Sequence, residues 1–246
     1  MKYENILITG SSGKIGKALL SSELGKRKIL APSRDEMDIT NDKKVSAYFE
    51  KNKIDAVIHC AAMTNGRECE KNPESAIKAN VIGASNVVQA ALKSKARFIY
   101  MSTDYVYPCV KGPYSEKDET NPFTVYGWTK LEGEYAVKKS ENYCVIRTSL
   151  LDTKKITFDT APTDAYVSKI PLEELVEAII FLLDSNFVGI INVGRERASL
   201  YDIYKKYKPD IKPVSIKSIP KEQQRAVDSS LDITLWKEIS KKDSIK

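Results

Sequence analysis

Three side chains in the middle of the chain have the types and the spacing needed to reduce a carbonyl group. Thr103 carries a hydroxyl, Tyr126 a phenol and Lys130 an ammonium group. Tyr126 and Lys130 share one face if they lie on a helix. We expect the ammonium group to lower the pKa of the phenol from its usual value of about 10, so that Tyr126 can protonate a carbonyl oxygen. The Thr103 hydroxyl can hydrogen-bond the same oxygen and stabilise its developing charge.

The Tyr-x-x-x-Lys spacing alone does not identify this pair, because it occurs five times in the chain. The other four examples begin at Tyr107, Tyr135, Tyr201 and Tyr204. Only Tyr126 opens a predicted helix that follows a polar, proline-containing loop after a central strand, and sites in Rossmann-type folds lie at the carboxyl ends of strands. The context therefore favours Tyr126 and Lys130. The alternative is purely structural, with Thr103 capping a turn, Tyr126 in the core and Lys130 on the surface.

A glycine-rich loop near the N-terminus predicts the dinucleotide that would supply the hydride. It lies between a predicted strand at residues 5–9 and a predicted helix at 14–24, with the spacing Gly-x-x-Gly-x-x-Gly. The loop residues are Gly10, Ser11, Ser12, Gly13, Lys14, Ile15 and Gly16. The first glycine permits a sharp turn, the second lets the backbone approach a pyrophosphate, and the third lets the helix pack closely on the sheet. The helix N-terminus offers N–H groups to phosphates. The alternative interpretation of the loop is an ordinary turn.

The type of cofactor is indicated by the pair of residues that follows the second predicted strand. An acidic residue at this point would accept a hydrogen bond from the adenosine ribose, whereas Ser33 and Arg34 suit an additional 2′-phosphate. Lys14 can add a second cation. NADPH is therefore the predicted cofactor, with NADH as the alternative, and the competing interpretation of Arg34 is a solvated loop residue.

The remaining pattern predicts an α/β fold of the Rossmann type, a doubly wound parallel sheet with a small, truncated C-terminal substrate lobe. Predicted strands at 5–9, 28–32, 56–60, 97–102 and 143–147 alternate with helices at 14–24, 41–51, 73–94 and 126–139. Parallel neighbours require crossover connections, which the helices provide. We predict a dinucleotide-binding domain at 1–150 that contains the three candidate catalytic residues.

The pattern changes after residue 150, where we predict a reduced substrate lobe at 151–246, interleaved with the end of the sheet. It contains an extended piece at 156–160, a helix at 172–183, a strand at 189–193 and a helix at 200–207. A connector at 208–221 precedes a last short helix at 231–239. A length of 246 residues suits one core with a small appended lobe better than two independent domains.

Composition argues against several other classes of protein. The net charge of +6 is modest, and no nucleic-acid-binding motif accompanies it, so a solvated lysine-rich surface is the favoured interpretation. Cys60, Cys69, Cys109 and Cys144 lack the paired spacing of a zinc site, and His59 is the only histidine, so no metal is predicted. There is no secretory signal and no apolar stretch long enough to span a membrane, which predicts a cytoplasmic protein without membrane contact.

Several segments of the chain resemble the dTDP-4-dehydrorhamnose reductase family of extended short-chain dehydrogenases. They are Ser-Thr-Asp-Tyr-Val-Tyr at 102–107, Val-Tyr-Gly-Trp-Thr-Lys-Leu-Glu-Gly-Glu at 125–134, Met-Asp-Ile-Thr at 37–40, His-Cys-Ala-Ala-Met-Thr at 59–64 and Arg-Thr-Ser at 147–149. The similarity extends over nearly the whole chain, to Ser-Leu-Asp at 230–232. These strings are far more specific than the glycine loop.

The resemblance implies a cytoplasmic enzyme of deoxysugar biosynthesis that transfers hydride from NAD(P)H to the C4 keto carbon of a nucleotide-linked 4-keto-6-deoxyhexose. Tyr126 would protonate the oxygen, Lys130 would contact the nicotinamide ribose, and Asp104 would join Thr103 in facing the sugar. The other cofactor-binding residues implied are Asp38 and Ile39 along the adenine, Ala61, Ala62 and Met63 along the diphosphate and ribose, and Met101. The expected partner is a nucleotide sugar, with a homodimer as the expected assembly.

Two departures from the family pattern affect the substrate side. Leu150 stands where an aromatic residue usually follows Arg-Thr-Ser, so this candidate substrate-binding position offers no flat stacking surface. The chain also omits a helix of the substrate lobe between Leu151 and Ile156. Two other functions stay open, a nucleotide-sugar epimerase or dehydratase and a non-catalytic regulatory subunit similar to the methionine adenosyltransferase β subunit.

Overall fold

The computed structural model describes residues 2–153, 156–219 and 226–242. The strands are β1 Asn5–Thr9, β2 Lys28–Leu30, β3 Ala56–His59, β4 Arg97–Met101, β5 Tyr143–Leu151, β6 Thr160–Pro162, β7 Tyr166–Val167, β8 Lys169–Pro171, β9 Gly189–Val193, β10 Ala198–Ser199 and β11 Lys212–Val214. The α-helices are α1 Lys14–Leu20, α2 Asp42–Lys51, α3 Gly66–Lys71, α4 Pro73–Ile77, α5 Gly83–Lys93, α6 Val125–Val137, α7 Leu172–Asp184, α8 Leu200–Lys205 and α9 Thr234–Lys242.

Seven of these strands form one parallel sheet. The order is β2-β1-β3-β4-β5, and the long strand β5 then pairs with two further strands. Its first part pairs with β9, from Cys144 opposite Gly189 onward, and its end pairs with β8, with Ser149 opposite Lys169. The strand order reverses beside β1, and ligands in such sheets bind near this reversal, beyond the carboxyl ends of the strands. The predicted Rossmann-type α/β fold is confirmed.

Apolar side chains fill both faces of the sheet. On one face, residues of β1, β3, β4, β5 and β9 pack against α1, α7 and α9. On the other face, the sheet packs against α2 and α5. Leu7 and Ile8, for example, are adjacent in β1, point to opposite faces and belong to the two different clusters. The near-continuous apolar strands are therefore explained by burial on both sides.

The chain after residue 150 contributes to two layers. Strands β8 and β9 complete the main sheet, and helix α7 packs against it. Strand β6 pairs with β11, and β7 pairs with β10. These four short strands lie beside α8 over a smaller core. The predicted extended piece at 156–160 corresponds to a strand that begins at Thr160. The predicted connector at 208–221 contains β11 and a 3-10 turn at Ile216–Ser218, and its last two residues lie outside the described part.

The helix predicted at 73–94 is interrupted. A π-helical segment, Lys78–Ile82, separates α4 from α5. It contains the buried Asn80, whose side chain accepts from the Met63 N–H at 2.7 Å and donates to the Met63 carbonyl and the Thr129 hydroxyl at 3.0 Å. Both partners are distant in sequence, so helical periodicity could not predict the interruption. Among the helices that the structure describes, none is long and apolar enough to cross a membrane.

Candidate active site

The glycine loop turns tightly from β1 into α1. Gly10 has φ +67°, and a Cβ atom on it would lie 2.6 Å from the Ala61 backbone nitrogen. A Cβ on Gly16 would lie 2.4 Å from the Gly10 carbonyl oxygen, whereas one on Gly13 would meet only that oxygen, at 3.2 Å. Gly10 and Gly16 are thus required by the packing of the loop itself. Gly13 leaves its backbone open toward the adjoining cavity, as expected of a phosphate-binding position.

A cavity of about 1030 Å³ joins this loop to the candidate catalytic residues. The predicted site residues that line it are Gly10, Gly13, Lys14, Ile15, Gly16, Ala62, Met101, Thr103, Asp104, Tyr126, Lys130 and Leu150. The predicted residues outside its lining are Ser11, Ser12, Ser33, Arg34, Asp38, Ile39, Ala61 and Met63. The cavity therefore brings together the pyrophosphate end of the predicted cofactor site and all three candidate catalytic groups.

Thr103 and Asp104 follow the end of β4 and line the cavity. The Thr103 hydroxyl donates to Asp104 Oδ1 at 3.0 Å and accepts from the Tyr105 N–H at 3.2 Å. Asp104 Oδ2 accepts from the Ser229 hydroxyl at 2.7 Å. Burial raises the pKa of Asp104, while the hydrogen bond from Ser229 and the charge of Lys169 act in the opposite direction. Asp104 thus fixes the Thr103 hydroxyl and ties the site to the C-terminal part of the chain.

Tyr126 is held at the start of α6. The Thr124 hydroxyl caps this helix by accepting from the Gly127 N–H at 3.0 Å, and the Glu70 carboxylate accepts from the Val125 N–H at 2.8 Å. Gly127 is needed here because a Cβ atom would come within 2.2 Å of the Tyr105 carbonyl oxygen. The phenol is therefore positioned by three elements that meet at one end of the cavity.

The expected lowering of the Tyr126 pKa is wrong in this structure. Burial raises the pKa of Tyr126 well above its usual value, and the neighbouring Asp104 carboxylate raises it further, while a hydrogen bond with Thr103 lowers it. The Lys130 ammonium is not among the main causes of this shift, and its Nζ lies over the Tyr100 ring, 4.0 Å from the ring centroid. Tyr126 is consequently a protonated phenol at neutral pH, which is the form needed for donating a proton.

Lys130 is buried, and its pKa is shifted toward neutrality. Burial lowers the pKa of Lys130 to about 7, against the opposing influence of Glu134 and Cys60. Glu134, one helical turn later, accepts from the Ser102 hydroxyl at 2.5 Å and forms a buried ion pair with Arg147 at 2.7 Å. Lys130 therefore lies against an aromatic ring, near a fixed carboxylate, in a site that disfavours its charged form.

The predicted adenosine end lies beyond the lining of this cavity. Arg34 Nε donates to Asp38 Oδ2 at 3.3 Å, and the Arg34 side chain is 80% exposed. Asp38 also accepts from the Thr40 N–H and hydroxyl, which lowers its pKa. The Ser33 N–H donates to Glu36. The predicted adenosine end thus contains both a cation and a carboxylate, paired with each other.

Several lining residues were not predicted. They are Cys60, Thr64, Asn65, Gly66, Arg67, Glu70, Ser102, Tyr105, Phe123, Thr124, Thr148, Ser149 and Lys169. Ser102, Thr148 and Ser149 could have been found from the rule that strand carboxyl ends form the site. Lys169 has no local signal, because only the pairing of β8 with β5 brings it to the cavity. Within the described ranges, no group of three or more His, Cys, Asp or Glu could hold a metal ion.

Comparison with known proteins assigns the chain to a family. Residues 4–158 match the family model described as the RmlD substrate binding domain. The chain belongs to this family. A solved dTDP-4-dehydrorhamnose reductase ortholog from Clostridium acetobutylicum is 30% identical, with a TM-score of 0.87 over 98% of this chain and 99% of that chain. The family resemblance seen in the sequence is confirmed.

Three further similar proteins carry different names and match different shares of the chain. The dTDP-4-dehydrorhamnose reductase from Bacillus anthracis, solved in complex with NADP, is 27% identical with a TM-score of 0.86 over 97% of this chain and 93% of that chain. The dTDP-4-dehydrorhamnose reductase of Mycolicibacterium smegmatis is 38% identical over 59% of this chain and 45% of its own length. Methionine adenosyltransferase 2 subunit beta of Xenopus tropicalis is 35% identical over 61% and 48%. The chain thus matches only about half the length of the latter two.

Proposed function

We propose that this protein is an NADPH-dependent reductase of the C4 keto group of a nucleotide-linked 4-keto-6-deoxyhexose, as in dTDP-rhamnose biosynthesis. The observation that carries this proposal is the single cavity lined by the glycine loop, Thr103, Tyr126 and Lys130. Support for NADPH comes from Arg34 at the adenosine end and from the NADP-bound relative of Bacillus anthracis. NADH is the alternative, since Asp38 can accept a hydrogen bond from a ribose. A homodimer stays a prediction.

The residues fit the proposed cofactor at both ends. Gly13 leaves its backbone open to the cavity, where a side chain would obstruct a pyrophosphate, and Lys130 is an ammonium donor for a ribose hydroxyl. The bound nicotinamide would supply the hydride to the keto carbon. Tyr126 then transfers its phenolic proton to the keto oxygen, and the Thr103 hydroxyl, by turning its hydrogen from Asp104 Oδ1 to that oxygen, stabilises the negative charge there during the transfer.

The direct test follows oxidation of NADPH with a panel of dTDP-, UDP- and GDP-linked 4-keto-6-deoxy sugars. We expect Tyr126→Phe to reduce the rate by about two to four orders of magnitude, because it removes a positioned acid, and to leave NADPH affinity unchanged. Tyr135→Phe is a matched control on the same helix. Tyr135 also begins a Tyr-x-x-x-Lys sequence but is 49% exposed. Near-normal turnover of Tyr126→Phe would assign the proton to another group.

A second candidate function is a non-catalytic regulatory subunit, favoured by the similarity to methionine adenosyltransferase 2 subunit beta. The same assay distinguishes it, because such a protein would bind the cofactor without oxidising it in the presence of any sugar of the panel. An epimerase or dehydratase would give product without net oxidation of cofactor. Running each sugar with NADPH and NADH at equal concentrations also measures the cofactor preference.

A further inference from the structure

Residues 228–232, near the end of the chain, reach the candidate active site without lining its cavity. The Ser229 hydroxyl donates to Asp104 Oδ2 at 2.7 Å, although the two residues are 125 positions apart in the sequence. Both residues are buried, with exposed fractions of 2% and 3%. Ser229 therefore affects a bound substrate only through the residues that it contacts.

Backbone hydrogen bonds fix residues 228–232 from two sides. The Asp228 N–H donates to the Cys109 carbonyl oxygen, in the loop after β4, at 3.0 Å. The Ser229 N–H donates to the carbonyl oxygen of Tyr166, in β7, at 3.0 Å. The Arg197 guanidinium, which lies over the Tyr166 ring, also donates to Asp228 Oδ2 at 2.9 Å. The backbone around Ser229 is thus held independently of its contact with Asp104.

The Asp104 carboxylate is shared between two hydroxyl groups. Its Oδ1 accepts from Thr103 at 3.0 Å, and its Oδ2 accepts from Ser229 at 2.7 Å. Burial raises the pKa of this carboxyl group. The hydrogen bond from Ser229 is the largest of the opposing influences, ahead of the charge of Lys169 and the hydrogen bond from Thr103. Ser229 therefore contributes more than any other single group to keeping this buried carboxylate ionised.

The proposed reaction requires Asp104 to release one of these two hydrogen bonds. The Thr103 hydrogen turns from Asp104 Oδ1 to the keto oxygen as charge develops there. A buried carboxylate that loses a donor is destabilised, and the loss is more costly when fewer donors remain on it. The hydrogen bond from Ser229 stays in place during this turn, so Asp104 retains the Thr103 hydrogen less strongly.

We propose that Ser229 is a positioning residue of the active site, which allows the Thr103 hydroxyl to turn from Asp104 to the substrate oxygen. The inference rests on the proposed function, in which Thr103 stabilises the charge on the keto oxygen. It gives a part in the reaction to a residue outside the cavity lining. Without the Ser229 hydroxyl, Asp104 would compete more strongly for the Thr103 hydrogen, and the barrier to reduction would rise.

The test compares Ser229→Ala with Ser230→Ala. Ser230 is the neighbouring buried serine, and its hydroxyl donates to Asp228 Oδ1 at 2.5 Å rather than to Asp104. Each variant thus loses one buried hydrogen bond of the same segment. With the sugar nucleotide that the panel identifies, kcat should fall about tenfold in Ser229→Ala alone, less than the roughly hundred- to thousandfold loss on removal of an oxyanion donor. KM for NADPH should be unchanged in both variants, and their thermal stabilities should be similar.

A second comparison measures whether Ser229 acts through Thr103. In Thr103→Val there is no hydroxyl to release, so adding Ser229→Ala should leave kcat within about twofold of the Thr103→Val value. Residues that act independently would show the full effect in both backgrounds. An undiminished effect in the Thr103→Val background would overturn the inference. An unchanged kcat in Ser229→Ala, or an equal loss of kcat in Ser229→Ala and Ser230→Ala, would also overturn it.

An NMR titration of Asp104 gives a readout that does not need turnover. With isotope-labelled aspartate, the Asp104 carboxyl resonance is the one that Asp104→Asn removes. Its pKa should be higher in Ser229→Ala than in the wild type, because a donor to the ionised form is lost, and unchanged in Ser230→Ala. An Asp104 pKa that is equal in Ser229→Ala and the wild type would overturn the inference. The other groups that interact with this carboxyl are retained in both variants; they are Lys169, Thr103, Ser149, Tyr126 and Cys109.

These measurements separate the inference from the proposed function. Turnover of a sugar nucleotide that is insensitive to Ser229→Ala supports the reductase and contradicts the role of Ser229. A raised Asp104 pKa in Ser229→Ala, in a protein that turns over no sugar of the panel, supports the coupling of Ser229 to Asp104 and contradicts the reductase.

Discussion

At the scale of single residues, the site combines a phenol that stays protonated with an amine that titrates close to neutrality. Burial moves the two pKa values in opposite directions, because it disfavours the phenolate of Tyr126 and the ammonium form of Lys130. The Tyr100 ring compensates in part by providing its face to the ammonium group at 4.0 Å. Gly133 makes this contact possible, since a Cβ atom there would lie 2.0 Å from the Tyr100 hydroxyl.

This arrangement predicts a pH dependence governed by Lys130. Since burial lowers its pKa to about 7, Lys130 is charged below that pH and neutral above it. Its ammonium form is the proposed donor to the cofactor's ribose, so kcat/KM for NADPH, which reports ionisations of the free enzyme, should be constant below pH 7 and fall about tenfold per pH unit above it. The measurement is the rate of NADPH oxidation at subsaturating NADPH between pH 5.5 and 9, roughly the range in which such groups titrate.

The control for this prediction is Lys130→Met, which should be slower and should lack the decrease above pH 7. The stability of the fold changes with pH in a related way. The pKa of Lys130 is below its unfolded value of 10.5, so the unfolded chain binds more protons between these values and stability should rise with pH from about 7 to 10.5. A wild-type kcat/KM for NADPH that stays constant up to pH 9 would contradict the role assigned to Lys130.

At the scale of elements, α1 packs closely on the loop that follows β1, and α6 packs closely on β4, because each helix has a glycine at the contact. The three glycines of the N-terminal loop have different surroundings, however, and this allows packing to be separated from binding. A methyl group on Gly16 would overlap the Gly10 carbonyl and the Ser11 backbone, whereas one on Gly13 meets only the Gly10 carbonyl oxygen, in a tight contact of 3.2 Å. Gly13 also lines the cavity.

We therefore expect Gly13→Ala and Gly16→Ala to have different effects. Gly13→Ala should lower the thermal stability of the apoprotein less than Gly16→Ala does, because only the Gly10 carbonyl must shift. It should weaken NADPH binding about tenfold or more, since the new methyl group would stand where the pyrophosphate approaches. Gly16→Ala should reduce both, because backbone atoms must move to accommodate the methyl group. Thermal unfolding without ligand and titration of NADPH fluorescence measure the two effects. Equal stability losses in both variants would show that the loop is packed differently.

The same scale shows which features were accessible from the sequence. Strand and helix alternation is a local signal, and the rule for strand carboxyl ends correctly brought Thr103, Tyr126 and the glycine loop into one cavity. The π-helical segment at Asn80 was missed because the hydrogen-bond partners of Asn80 lie in the loop between β3 and α3 and on α6. The direction of the Tyr126 pKa shift was missed because spacing along a helix carries no information about burial. Lys169 was missed because its position depends on a strand pairing.

At the scale of the whole molecule, the two halves of the chain share one core. Helix α7 and strand β9 supply Leu175, Ile179, Leu182, Leu183, Ile191 and Val193 to the cluster that also contains residues of β1, β3 and β4. The fully buried Arg97 donates from one nitrogen to the carbonyl oxygens of Leu182 and Phe187 at 2.8 Å. The first 150 residues thus depend on the remainder for both apolar cover and hydrogen-bond acceptors.

This dependence predicts that a fragment of residues 1–150 does not fold into a cofactor-binding domain. Without α7 and β9, β5 becomes an exposed apolar edge and the Arg97 guanidinium loses two of its acceptors, so the fragment should lack a cooperative thermal transition. Near-UV circular dichroism should be lost while far-UV signal is partly kept, and the fragment should bind a hydrophobic dye and fail to bind NADPH, with the full chain as control. A fragment that unfolds cooperatively and binds NADPH would show instead that residues 1–150 form an autonomous domain, and the shared core would then contribute stability without being required for folding.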